Sequence, residues 1–206
     1  MFPFRGKRVR LLNHAPLSTA IALSRSAFQD YTVITIERDP LSRAASLFAW
    51  KHRDALERMN LVTAFRDWVA SGQFRSSFPI YGLHGYPAAD LVVRYERLSE
   101  GLGIVADRLG LTGAIDITAN REKSAVTPGA LKDLDTLYDE KTRSIVGTVA
   151  AQETALMGYA AGASDPIVEA PNAAAIRLAY QRGLKAHGHT VMAGARFRER
   201  PANAPT

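Results

Sequence analysis

Two periods organise the apolar residues of this chain. Tyr31 to Glu37 (YTVITIE) and Leu91 to Tyr95 (LVVRY) are β-branched and nearly continuous in apolar character. That pattern suits strands buried on both faces, as in a parallel sheet. Arg8 to Leu12 is a third, weaker strand candidate. Elsewhere the period is helical. Pro16 is well placed to open a helix in which Leu17, Ala20, Ile21, Ser24 and Phe28 recur. Asp39-Pro40 supplies an N-cap and a first helical residue, and Leu41, Ala44, Ala45 and Phe48 follow as one stripe. Leu61 to Val69 predicts a helix with Leu61, Phe65, Trp68 and Val69 inward. Leu98 to Leu109 predicts another, stopped by Gly110. Leu131 to Tyr138 and Thr142 to Met157 predict two more, the second stopped by Gly158, and Asn172 is placed to cap a last helix reaching Leu184.

Between these elements, residues 71–87 read as a long loop rich in Gly, Ser, Pro and aromatics, and residues 116–128 as polar and irregular. Strands alternating with helices predict an α/β architecture with a parallel sheet. The expected organisation is one α/β domain over residues 1–160. A linker, a C-terminal helix and a disordered tail then occupy residues 161–206.

Composition narrows the chemistry. Hydrophobic residues are 47% and charged residues 22% of the 206, an ordinary globular balance that can build one real core. There is no cysteine, which excludes disulfides, thiolate metal sites and cysteine nucleophiles. No apolar run is long enough to span a bilayer, and Met-Phe-Pro-Phe-Arg-Gly-Lys-Arg is not followed by a signal-peptide core, so the expected location is cytoplasmic. The net charge of +6 favours anionic partners without choosing among them.

The most informative segment is Ile36-Glu37-Arg38-Asp39-Pro40-Leu41-Ser42-Arg43-Ala44-Ala45-Ser46. Arg38 falls at the carboxyl end of a strand, where open α/β sheets bind ligands. The turn after it feeds a helix N-terminus, which favours negative charge. Ser42 and Ser46 share a helix side away from the apolar stripe. A planar guanidinium and a hydroxyl can thus converge on one phosphate. The plainer alternative is helix capping by Asp39, with Arg38 paired to a carboxylate.

This pattern resembles the sulfotransferase family, in which a strand-end arginine and a serine at the same offset bind the 3′-phosphate of 3′-phosphoadenosine 5′-phosphosulfate (PAPS). It is most similar to the branch containing carbohydrate sulfotransferases and bacterial relatives. Phe65-Arg66-Asp67-Trp68-Val69, Val93-Arg94-Tyr95-Glu96-Arg97-Leu98 and the closing Gly158-Tyr159 resemble further motifs of that branch, over roughly residues 10–160. The resemblance implies that Arg38 and Ser46 grip the 3′-phosphate and that Tyr95 lies near the adenine. Tyr95 as a sheet-end core residue is the competing reading.

In some carbohydrate sulfotransferases a histidine placed like His14 is the general base for the acceptor hydroxyl. Imidazole suits that task because its pKa lies near working pH; a capping or surface histidine is the other reading. His52 and His84 have no comparable support. Arg121 and Lys123 form a basic loop, read either as facing a nucleotide phosphate or as solvated.

The resemblance further implies a P-loop-like parallel sheet flanked by helices, PAPS as donor, a hydroxyl-bearing acceptor and no metal. No Pro-Lys-x-Gly-Thr segment precedes Arg38, so the expected fold is N-terminally incomplete, with apolar sheet edges exposed. A late start, a degenerate product and a binding-only relative all fit that expectation. The functional alternatives are a non-catalytic nucleotide- or polyanion-binding relative and, from another class, a basic nucleic-acid-binding module. The last has net charge alone behind it, so no nucleic-acid partner is expected.

Overall fold

The computed structural model describes residues 2–4, 7–9, 15–23, 31–112 and 128–186. Its elements in chain order are β1 (Phe2–Phe4), β2 (Lys7–Val9), α1 (Leu17–Leu23), β3 (Ile34–Glu37), α2 (Pro40–Lys51), α3 (Leu61–Ala70), α4 (Phe78–Tyr81), β4 (Gly82–Leu83), β5 (Tyr86–Pro87), β6 (Leu91–Arg94), α5 (Leu98–Arg108), α6 (Leu134–Leu137), α7 (Glu140–Val149), α8 (Ala151–Met157), β7 (Ile167–Glu169) and α9 (Ala173–Ala186). The fold mixes helices with short strands, which agrees with the α/β class. β3, β6 and β7 form a three-stranded sheet in the order β3-β6-β7, while β1–β2 and β4–β5 are separate antiparallel pairs.

The chain divides into two compact units. One draws on Met1–Thr35, Phe78–Leu91 and Glu169–Thr206, the other on Ile36–Ser77 and Val92–Val168. In the first, Leu17 and Ile21 of α1 pack with Leu83 and Ala88, joined by Val33, Ile176 and Tyr180. Ala173, Arg177 and Gln181 recur at one-turn spacing on α9, and all three are buried. The Arg177 guanidinium pairs with Asp90 at 2.9 Å and donates to the Ala88 carbonyl at 2.7 Å, and Asp90 accepts from the Val33 N–H at 2.7 Å.

Residues 78–87 of this unit, expected as loop, hold α4 and the β4–β5 hairpin. The two-residue turn His84-Gly85 has φ of 51° and 83°, and such turns match the twist of the flanking strands. Glycine takes that conformation freely; His84 does not, and its ring rests on Tyr180 at 5.3 Å.

The second unit holds the larger core. Ala44, Ala45, Phe48 and Ala49 of α2 meet Phe65, Trp68 and Val69 of α3, together with Leu131, Leu137, Tyr138 and Val146. Phe48 sits edge-on to Phe65 at 5.6 Å, and Phe65 edge-on to Tyr138 at 4.9 Å, a favourable ring geometry. The Tyr138 hydroxyl donates to the Leu41 carbonyl at 2.8 Å.

The expected caps form. Asp39 accepts from the Ser42 N–H, Pro40 opens α2, and Gly158 ends α8 in the left-handed region. The helix expected over 142–157 begins earlier, because Asp139 and Thr142 make a capping box, and it breaks at Ala150 into α7 and α8.

Two strand expectations change. β6 is buried along its whole length, as read, but β3 is not: Ile36 is 49% exposed while Glu37, pointing to the other face, is buried. Residues 167–169, read as linker, supply the third strand. The strand expected over Arg8 to Leu12 is present as β2 up to Val9, and the rest lies outside the described residues.

Candidate functional site

The ends of β3 and β6 build the site, all of it within the second unit. β3 finishes at Glu37, which is 1% exposed. Glu37 Oε2 accepts from the Ser77 hydroxyl at 2.6 Å, and Oε1 accepts from the Arg38 N–H at 3.0 Å. A second buried carboxylate, Glu153 of α8, accepts from the Ser77 N–H at 2.6 Å and the Ser76 hydroxyl at 2.7 Å. Arg43 serves both carboxylates, with Nε 3.7 Å from Glu37 and Nη2 3.4 Å from Glu153, and its guanidinium lies over the Phe74 ring at 4.6 Å. Arg43 also donates to the Arg75 carbonyl at 3.0 Å, so this cation is committed to the frame. A buried charge needs this degree of pairing.

β6 finishes at Arg94, also buried. It donates to the carbonyls of Asp165 at 2.8 Å and Met157 at 2.6 Å and lies over the Tyr159 ring at 4.6 Å. Glu96 ties the two strand ends together, accepting from the Asp39 N–H at 2.9 Å and from the Tyr159 hydroxyl at 3.2 Å. That hydroxyl also lies 3.4 Å from the Glu37 carbonyl. Burial, and then the Glu96 charge, pushes the Tyr159 phenol above its ordinary value, so it remains a neutral donor.

On this frame stands Arg38. Its Nε donates to Ser42 Oγ at 2.8 Å, and its guanidinium lies over the Tyr95 ring at 4.7 Å. Among the described residues it makes no ion pair, and its two terminal nitrogens make no hydrogen bond. Tyr95, in the turn after β6, is 46% exposed. A guanidinium fixed through Nε and one face, with both Nη groups open, is preset for bidentate contact with a tetrahedral anion.

No family model, characterised protein or solved structure matches this chain. The site is therefore read from its own geometry. The structure brings Arg38 and Tyr95 together. Ser46 lies one turn further along α2, half-buried, and the side-chain hydrogen bond of Arg38 goes to Ser42 instead. His14, Arg121 and Lys123 lie outside the described residues. Sequence reasoning assigned no part to Ser42, although helical spacing had put it on the same side as Ser46. It also gave no part to Glu37, Glu96 and Glu153; the partners of these carboxylates are distant in sequence, and no local signal marks them. Among the described residues no group of three or more His, Asp or Glu side chains is placed to hold a metal ion, and no helix is long and apolar enough to cross a membrane.

Proposed function

We propose that this chain is a sulfotransferase-like protein that binds the 3′-phosphate of PAPS at Arg38. One observation carries the reading: among the described residues the Arg38 guanidinium, held by Ser42 and Tyr95, makes no ion pair and its two terminal nitrogens no hydrogen bond. A phosphate dianion is the ligand such a fork fits best. The residues present suit the rest of an adenine nucleotide as well. The half-exposed Tyr95 ring offers a stacking surface for a purine, and Ser46 is within the α2 face that follows Arg38. The resemblance in the Tyr95-Glu96 and Gly158-Tyr159 motifs adds support, since the structure uses Glu96 and Tyr159 to join the two strand ends.

In this reading β3, β6 and β7 are part of a P-loop-like parallel sheet. The donor would supply the sulfuryl group. The chain's own part is to grip the nucleotide through Arg38 and hold the turn through Glu96, and His14 is the candidate proton acceptor for a hydroxyl-bearing substrate.

Calorimetry with 3′-phosphoadenosine 5′-phosphate tests the site. Arg38→Gln should weaken binding by about tenfold or more, the loss of a charge-assisted pair, and adenosine 5′-monophosphate should bind more weakly than the bisphosphate. Failure of the bisphosphate to bind the wild type, or equal binding by Arg38→Gln, refutes the proposal. Transfer of label from PAPS to a panel of sugars then separates a transferase from a nucleotide-binding relative.

A further inference from the structure

The charges around the Arg38 fork form two sets, one inside the second unit and one at its surface. Inside, Glu37 and Glu153 face Arg43, and Arg94 is buried on two carbonyls with its guanidinium over the Tyr159 ring. Two carboxylates there meet two guanidiniums, so the frame carries no net charge. At the surface the balance differs. Arg97 is taken by Glu100 and the Ser164 carbonyl. Among the described residues of the turn, that leaves Arg38 as the cation beside two carboxylates, Asp39 and Glu96.

Both carboxylates are fixed near the fork. Asp39 accepts from the Ser42 N–H at 2.8 Å, so its charge sits at the α2 N-terminus, where it is favoured. Three short contacts lead from Glu96 to the guanidinium. Glu96 Oε1 accepts from the Asp39 N–H at 2.9 Å, the Asp39 carbonyl accepts from the Ser42 hydroxyl at 3.2 Å, and that hydroxyl oxygen accepts from Arg38 Nε at 2.8 Å. Glu96 also follows Tyr95, whose ring the guanidinium covers. It is exposed, and its other oxygen takes the Tyr159 hydroxyl at 3.2 Å. A neutral acceptor would serve both donors, so what the carboxylate adds is charge.

We propose that Glu96 sets the charge selectivity of the Arg38 site, so that the fork takes a single phosphate group and disfavours a contiguous polyphosphate. The inference rests on the reading of Arg38 as a phosphate-binding fork. A lone guanidinium gains with each further negative charge on its ligand. A like charge held beside it removes that gain, and removes more of it the more highly charged the ligand is. A phosphate on an uncharged ribose brings one anionic group to the turn. A pyrophosphate brings further charge within range of Glu96.

Glu96→Gln removes the charge and keeps the tie. Its amide oxygen accepts from the Asp39 N–H, its amide nitrogen donates to the Tyr159 oxygen, and the Tyr159 hydroxyl turns to the Glu37 carbonyl, 3.4 Å away. The probes are inorganic phosphate, pyrophosphate and tripolyphosphate, added to the ¹⁵N-labelled full chain at about 10 mM salt, where the screening length is about 30 Å. The Arg38 Nε–H signal, identified by its loss in Arg38→Gln, reads occupancy of the fork. Glu96→Gln should bind phosphate about twofold and tripolyphosphate about fivefold more tightly than wild type, with an unchanged melting temperature. Both gains should shrink at about 0.3 M salt. Glu96→Asp keeps the charge and should gain nothing; Glu96→Ser replaces Glu96→Gln if that variant does not fold. No gain, an equal gain for all three probes, a gain that persists in salt, or an Arg38 signal that no probe moves overturns the proposal. Failure of 3′-phosphoadenosine 5′-phosphate to bind while this series behaves as stated sinks the nucleotide reading alone, and the converse sinks this one alone.

Discussion

Replacing Glu153 by alanine removes the acceptor on which the buried frame behind Arg38 converges. Glu153 is fully buried, and its Oε1 takes the Ser77 N–H at 2.6 Å and the Ser76 hydroxyl at 2.7 Å, with Arg43 Nη2 at 3.4 Å. A hydrogen bond to a charged group contributes about 1.5–3 kcal/mol net, so the two short bonds alone account for about 3–6 kcal/mol. Arg43 moderates the loss, since it keeps Glu37 at 3.7 Å and the Arg75 carbonyl at 3.0 Å. Breaking a buried pair from one side costs about 3–5 kcal/mol, and that is the expected loss for Glu153→Ala. It is a large share of the roughly 5–15 kcal/mol that holds a domain folded.

Glu153→Gln keeps a neutral acceptor for the Ser77 N–H and should lose about 1–2 kcal/mol. Urea denaturation followed by tryptophan fluorescence reads both values, with an unchanged m-value confirming a common unfolding reaction. If Glu153→Ala falls within about 1 kcal/mol of wild type at the same m-value, the cluster is not the dry, paired frame described and the argument fails.

Three further outcomes are expected. Ser42→Ala frees the Arg38 Nε and should weaken 3′-phosphoadenosine 5′-phosphate binding about fivefold by calorimetry, with little change in melting temperature. Gly101→Ala would set a Cβ 2.6 Å from Val93 Cγ1 and 2.9 Å from the Pro166 carbonyl oxygen. The gain in helix propensity of about 1 kcal/mol should be outweighed by overpacking of about 1–3 kcal/mol, lowering the melting temperature. Burial is the largest cause holding both the Tyr138 and Tyr159 phenols above the ordinary value of 10.0. The native state then keeps these protons more tightly than the unfolded chain does. Their contribution is complete below the unfolded pKa and is lost as pH rises past it towards the folded values. Denaturation midpoints should fall above about pH 10, and less steeply in Tyr138→Phe.

Much of the second unit was legible in the sequence, because its signals are local. Asp39-Pro40 starts α2 with a side-chain cap and a preset φ, and both act within one turn of chain. Phe48, Phe65, Trp68 and Val69 were readable as core, since helical period alone puts them on one face. Gly158 stops α8 by a conformation that other residues adopt with strain. Arg38 could be marked as a candidate because it follows a strand end, whereas Tyr95 was a candidate through the family resemblance alone.

Properties that depend on which distant segments become neighbours were not legible. β7 is three residues in a segment that reads as linker, and only its place beside β6 makes it a strand. Ile36 reads as buried from its β-branched run, but its 49% exposure depends on what packs over that face of the sheet. Glu37 and Glu153 look like surface carboxylates, yet they share Ser77 and Arg43 in the interior. Ser42 and Ser46 share a helix side, and the folded chain bonds the Arg38 Nε to Ser42, the nearer by one turn. Caps and periodic stripes are energies of neighbouring residues and belong to the sequence. The pairing of buried charges, and the direction in which a guanidinium is left open, arise only when segments far apart in the chain are brought within a few ångströms of each other.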